Sequence, residues 1–221
     1  VGDVDPAEVV RAAREVLPRE SGPAIPRDYG RETDLAPLEA EVSCKMEVSM
    51  PTFLLGFKCP PMSGGQEQMR RTLIGELACD VLLGDSSPLY ARLYSQGLIN
   101  GTFGYSFDTL PGVAYAYIGG DSKDPHAVAE EVLREARRLV KDGIDPDYYA
   151  RIVRANYGST LKSLNSFESI AISLVEGQFD GYDLLLFPEM FDSITPQDLL
   201  AFIRKNLCRE HMALSVVYPK E

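Results

Sequence analysis

The runs GTFGYSFDTL, residues 101–110, and GVAYAYIGG, residues 112–120, are both rich in aromatics and meet at Pro111-Gly112. Pro presets one turn dihedral and Gly supplies the left-handed one, so the pair reads as a hairpin between two strands. Strands joined by so short a turn must be antiparallel. Tyr115 and Tyr117 stand two residues apart and therefore point to the same face of their strand.

Working outward, EAEVSCKMEV (39–48) alternates like a half-buried strand, and TFLLGFKC (52–59) is a more continuous apolar one. Residues 65–83 carry Met69, Leu73, Leu77 and Val81 at helical spacing. Further helices are expected at 6–17, 88–96, 125–141, 146–163, 166–176 and 196–206, and MALSVVY (212–218) closes the chain as a strand. Five of the helix starts share one device. Asp5-Pro6, Ser87-Pro88, Asp124-Pro125, Asp145-Pro146 and Thr195-Pro196 each put a capping oxygen before a proline whose fixed φ suits the first helical position. Asp198 completes a variant of the capping box with Thr195. Two strands, two helices, two strands, several helices and a last strand imply an α+β fold, with a mostly antiparallel sheet covered by helices on one face.

The 221 residues suffice for a sizeable core, burying roughly 70% of the unfolded surface. A net charge of −11 argues against a nucleic-acid or anionic-membrane partner. No run approaches the ~20 apolar residues of a membrane span. Cys44, Cys59 and Cys79 lie in apolar patterns and read as small buried hydrophobes, and the four cysteines show no C-x-x-C spacing. Reduced thiols and a cytoplasmic location are the expectation. Residues 18–38 are rich in Pro, Gly and charge and read as a linker. The opening VGDVDP reads as a strand end leading into a helix, so residues 1–17 are taken as the tail of a preceding domain and 39–221 as one α+β domain. A similar strand end, Asp-Pro turn and helix recurs at 118–140.

Three stretches together carry a family resemblance: GDVDPAEVV, then PTFLLGFK after the linker, then LLGDSSPLYARLYSQGLINGTFGYSF (82–107). In this order they resemble the second half of an insulinase/pitrilysin-type zinc metallopeptidase of the inverzincin kind, in its C-terminal, non-catalytic form. The likeness extends over nearly all of the chain. It implies an α+β half that closes over a zinc-bearing half, the two walling a chamber around a peptide substrate. The zinc, and with it metal-assisted hydrolysis of the peptide bond, would belong to that N-terminal half or to a homologous subunit. Tyr115 and Tyr117 could line the chamber or simply pack across strands.

In a catalytic half, two histidines one helical turn apart and a Glu would occupy the helix that here reads GQEQMRRTLIGELACDVLL (65–83), which contains Glu67 and Glu76 but no histidine. No metal and no other cofactor is therefore expected in this chain, nor any catalytic residue. LCREH (207–211) mimics the inverted signature H-x-x-E-H with Leu207 in place of the first histidine. It spans a helix end and a strand start, so residues 207 and 211 cannot share a helix face, and Glu210 and His211 read as polar surface.

The family also places an Arg and a Tyr of this half near the scissile carbonyl. The matching segment is RLYSQGLINGTFGYSF, which makes Tyr105, Arg92 and Tyr94 the candidate substrate-binding residues. Tyr94 stands where the Arg would be, Arg92 lies two positions early, and Tyr105 matches only across an insertion. Glu168, Glu176, Asp180 and Asp183 read as a solvated acidic loop region. Arg134, Arg137, Arg138 and Lys141, mixed with Glu130, Glu131 and Glu135, read as an exposed helix face. The implied function is a non-catalytic chamber wall. The alternative is a catalytically dead assembly module that binds a partner protein.

Overall fold

The computed structural model describes every residue except 18–21, 24, 27, 29, 31–33, 63, 111 and 221. Along the chain run α1 (Pro6–Val16), β1 (Glu41–Met46), β2 (Thr52–Cys59), α2 (Gln66–Leu83), α3 (Pro88–Ser95), β3 (Gly104–Leu110), β4 (Val113–Asp121) and α4 (Pro125–Asp142). After them come α5 (Pro146–Ser163), α6 (Phe167–Asp180), α7 (Phe187–Ser193), α8 (Pro196–Asn206) and β5 (Met212–Pro219). The five strands form one sheet in the order β1-β5-β2-β4-β3. β1 runs parallel to β5, and the other pairs are antiparallel. The α+β architecture implied by the sequence is the observed one.

All five expected caps are made. Asp5, Ser87, Asp124, Asp145 and Thr195 each accept a hydrogen bond from a backbone N–H in the first turn of the helix that follows. The reciprocal Thr195–Asp198 box is also complete. The hairpin forms as read, with Asp108 opposite Tyr115 and Phe107 opposite Ala116. Gly112 takes the positive φ, 81°; Pro111 lies outside the described residues.

Helices α2, α4 and α8 pack on one side of the sheet. Phe53, Leu55, Phe57 and Cys59 of β2, and Ala114, Ala116 and Ile118 of β4, point into that layer and are buried. Leu77, Val81, Val132, Leu133, Leu199 and Ile203 meet them from the helices. α2 can cross β3 because position 75 is glycine. A β-carbon there would stand 2.4 Å from the Phe107 ring, which is itself wedged edge-on against Phe202 at 5.2 Å. Gly75→Ala gains about 1 kcal/mol of helix propensity. It forces the buried ring to move, at about 1–3 kcal/mol. A net loss of about 1 kcal/mol in urea unfolding is expected, and an unchanged midpoint would show that Phe107 yields freely.

Four expectations are corrected. Residues 1–4 form no strand, since among the described residues no ladder accepts them; α1 follows as read. β1 is exposed at every position rather than half-buried, because it is an edge strand beyond the main helix layer. Cys44, on that edge, is therefore exposed, whereas Cys59 and Cys79 are buried as expected. A separate helix, α7, follows a short 3-10 turn at Leu184–Leu186 where no helix was anticipated. Residues 18–21, 24, 27, 29 and 31–33 of the linker expected over 18–38 lie outside the described residues. Its end crosses the sheet near Lys58, whose ammonium donates to the carbonyls of Asp34 and Ala36 at 3.2 and 3.3 Å.

Candidate functional site

Because β-strand side chains alternate, the residues opposite to the core set form a second sheet face. Among the described residues no helix layer covers it. Register gives its rows. Asp108, Tyr115 and Lys58 lie side by side, then Ser106, Tyr117, Gly56 and Ala213, then Leu54, Ser215 and Val42. Leu54, Val42 and Met46, large hydrophobes on this face, are 50%, 46% and 54% exposed. The Tyr115 and Tyr117 rings lie 6.0 Å apart at 35°. Gly56 and Ala213 leave a depression of about 410 Å³, walled by these rings with Leu54, Pro37 and His211. A β-carbon at Gly56 would meet nothing within 4 Å, so the depression is open space above the backbone. This face can hold an extended, partly apolar chain.

The fold shows why no metal belongs on α2. The helix buries Ile74, Leu77, Ala78, Val81 and Leu82 in the core. Glu76 stands on its other side, beside a cavity of about 430 Å³ shared with Glu176, Asp180 and Tyr182. No cluster of three or more His, Cys, Asp or Glu side chains suited to a metal exists among the described residues. His126 heads α4 and bonds to Glu41 at 3.0 Å. His211 ends a short 3-10 turn, one residue before β5. Leu207 caps α8 and is buried, so LCREH is an apolar anchor followed by a turn. The described residues of α2 and of LCREH do not come together as a set that fits zinc.

Glu76 nonetheless has unusual electrostatics. Its side chain meets solvent but is hemmed in by protein, and that burial, followed by the Asp80 and Asp108 carboxylates, pushes its pKa up to about 7. A carboxyl held above its unfolded value favours the folded state fully below about pH 4.5, and that contribution is lost as pH rises through about 7. Glu76→Gln should therefore raise stability at pH 8 by about 1 kcal/mol after solvent screening. It should change little at pH 5. Equal melting curves of the two proteins at pH 8 would refute this.

The three candidate substrate residues take three separate sets of partners. Tyr105 lies on the helix side of β3, where its phenol donates to Asp80 Oδ1 at 2.9 Å. Burial, and then the Asp80 charge, holds its pKa far above the phenol range, so it remains a proton donor. Asp80 Oδ2 accepts from Asn156 Nδ2 at 2.6 Å, so one carboxylate ties β3 and α5 to α2. Arg92 spans to α4 and pairs with Glu131 at 3.3 Å and Glu135 at 3.1 Å. Tyr94 is exposed and stacks on Tyr90 at 5.9 Å.

Glu135 corrects the expectation of an exposed face on α4. It is 3% exposed and also takes Arg138 at 2.7 Å, while Glu131 takes Arg134. Burial opposes ionisation of Glu135, but the hydrogen bonds from Arg138 and Arg92 outweigh it and hold its pKa below the usual carboxylate value. Helical spacing alone could not show that Glu135 turns inward, since Arg92 comes from another helix 43 residues away.

Comparison with known proteins fits this geometry. The family model described as the peptidase M16 inactive domain matches residues 1–156. A Bacillus subtilis (strain 168) protein named as an uncharacterized zinc protease, YmfH, is 31% identical across the whole chain, which covers 52% of that relative. Among solved structures, an M16-like peptidase from Alicyclobacillus acidocaldarius superposes with a TM-score of 0.87 at 22% identity, over 97% of this chain and 51% of the other. An M16 inactive domain from Pseudomonas fluorescens superposes with 0.74 at 17% identity, over 100% and 53%. The chain thus spans about half the length of the curated relative it matches. With an α2 that carries core residues where a zinc motif would stand, this chain belongs to the peptidase M16 inactive-domain family, the non-catalytic half of zinc-protease-like proteins.

Proposed function

We propose that this chain serves as one wall of a peptide-holding chamber, closing over a zinc-bearing half that performs the hydrolysis. The observation that carries the reading is the uncovered sheet face. A contiguous apolar patch on a folded protein marks a surface that meets something else. Here that patch combines exposed aliphatics, a tyrosine pair and a side-chain-sized depression. The sheet offers an extended substrate apolar contacts along its open face. The relative named as a zinc protease supports this reading of zinc in the parent protein and of a catalytic M16 half as partner.

Purified alone, the chain should cleave no peptide with or without added zinc. Combined with a zinc-bearing half it should support turnover, and Leu54→Asp should raise KM several-fold with kcat little changed, because the new charge lies on the holding face. Zinc-dependent cleavage by the chain alone would sink the proposal, as would an assembly indifferent to Leu54→Asp.

A second reading, a catalytically silent assembly module, draws on α6. Phe167, Ile172, Val175 and Phe179 of that helix are exposed, Phe179 by 83%. Such a helix suits a partner protein. An assembly that forms stably and never turns over peptide would favour it.

A further inference from the structure

The chain carries 22 Lys and Arg against 33 Asp and Glu, yet four cations converge on one slot. The slot, about 300 Å³, lies between the C-terminal parts of α4 and α8. Its floor is Leu133, Ala136, Val140, Ile203 and Leu207, and its rim carries Arg137, Lys141, Arg204 and Arg209 with Glu210 as the one carboxylate. Arg209 is spoken for by Glu130. Arg137, Lys141 and Arg204 make no ion pair among the described residues, whereas Arg70, Arg92, Arg134 and Arg138 all hold carboxylates. Lys141 and Arg204 lie in the last turns of their helices, where a cation offsets the negative end of the helix dipole. That explains neither Arg137, one turn back, nor the apolar floor between the three.

We propose that this slot docks an acidic peptide segment, an apolar side chain seated on the aliphatic floor and flanking carboxylates paired with Arg137, Lys141 and Arg204. Cations around an apolar groove are complementary to a segment of opposite pattern, and such complementarity sets partner choice and association rate. Arg137 and Lys141 stand one helical turn apart, matching carboxylates on successive turns or alternate residues of the ligand. The site lies on the helix layer, away from the open sheet face, and stands independently of the chamber proposal.

The test uses the full chain and a fluorescein-labelled peptide in which Leu and Phe alternate with Glu and Asp, read by anisotropy. The acidic peptide should bind, and should bind less tightly as salt rises. A counterpart with Lys in place of every acid should not bind. Arg137→Glu with Arg204→Glu should weaken binding about tenfold or more. Arg154→Glu, on an exposed face of α5, should leave it unchanged, and thermal melts check that the variants remain folded. Equal binding of the two peptides, or indifference to the double reversal, overturns the proposal. So does displacement by oleate with no preference for acidic peptide, which assigns the slot to a lipid-like anion. Concentration-dependent self-association abolished by the double reversal also overturns it, in favour of a second copy of the chain.

Discussion

Glu135→Ala is expected to lower the free energy of unfolding at pH 7 by about 3 kcal/mol, measured by urea denaturation. Removing one partner from a buried ion pair costs about 3–5 kcal/mol, because the remaining charge is left desolvated and alone. Here the lower end applies. Arg92 and Arg138 are 35% and 43% exposed and can recover some hydration, although Glu135 itself is almost fully enclosed. The pH dependence provides an independent check. Glu135 has its pKa lowered on folding, so its stabilising contribution is fully present above its ordinary value of 4.5 and is lost as pH falls below it. Wild type should therefore lose more stability between pH 6 and pH 3 than Glu135→Gln does. A loss under about 1 kcal/mol in Glu135→Ala would mean that the pairs behave like screened surface bridges. The same experiment bears on function, since it asks whether Arg92 is committed to holding α3 against α4 rather than free to meet a substrate.

Asp80→Ala should cost a similar amount, about 3 kcal/mol. It deprives the Tyr105 phenol and the Asn156 amide of one charged acceptor, and hydrogen bonds to charged groups contribute about 1.5–3 kcal/mol each. Asn156 keeps its bond to the Ile152 carbonyl at 3.1 Å, which limits the loss on that side. Asp80→Asn retains an acceptor and should lose about half as much. A second readout separates this node from mere packing. Asp80 is among the charges that raise the Glu76 pKa, so Asp80→Asn should bring the Glu76 titration down toward 4.5. Carboxyl chemical shifts followed through pH 5–8 would register it. A Glu76 titration that does not move in Asp80→Asn would overturn the assignment of that charge.

These two carboxylates mark where the sequence ceases to be legible. Glu135 sits at helical spacing among Glu130, Glu131, Arg134 and Arg138 and reads as one more solvated residue. What buries it is Arg92, brought over by α3. Asp80 gave no signal at all, because Tyr105 and Asn156 reach it from β3 and α5. Tyr105 was singled out by resemblance to a substrate-contacting segment, and the structure places it facing the helix layer. The facing of Tyr115 and Tyr117 is legible. Alternation alone put them on one face, and only the missing helix cover made that face a candidate surface.

What the amino-acid order determined by itself depends on near neighbours. Capping oxygens ahead of prolines, the Pro-Gly turn and two-residue alternation set five helix starts, the hairpin and the shared face of Tyr115 and Tyr117 on β4, because these free energies act over a few residues of chain. The sequence of α2, which holds no histidine, likewise excludes a two-histidine zinc motif on that helix. Only the tertiary structure decided that β1 pairs in parallel with β5 across some 170 residues of sequence, that Glu135 and Asp80 are structural hubs, and that among the described residues no helix covers one sheet face. Burial and charge pairing between distant segments are properties of their meeting in space, and no local pattern encodes which segments will meet.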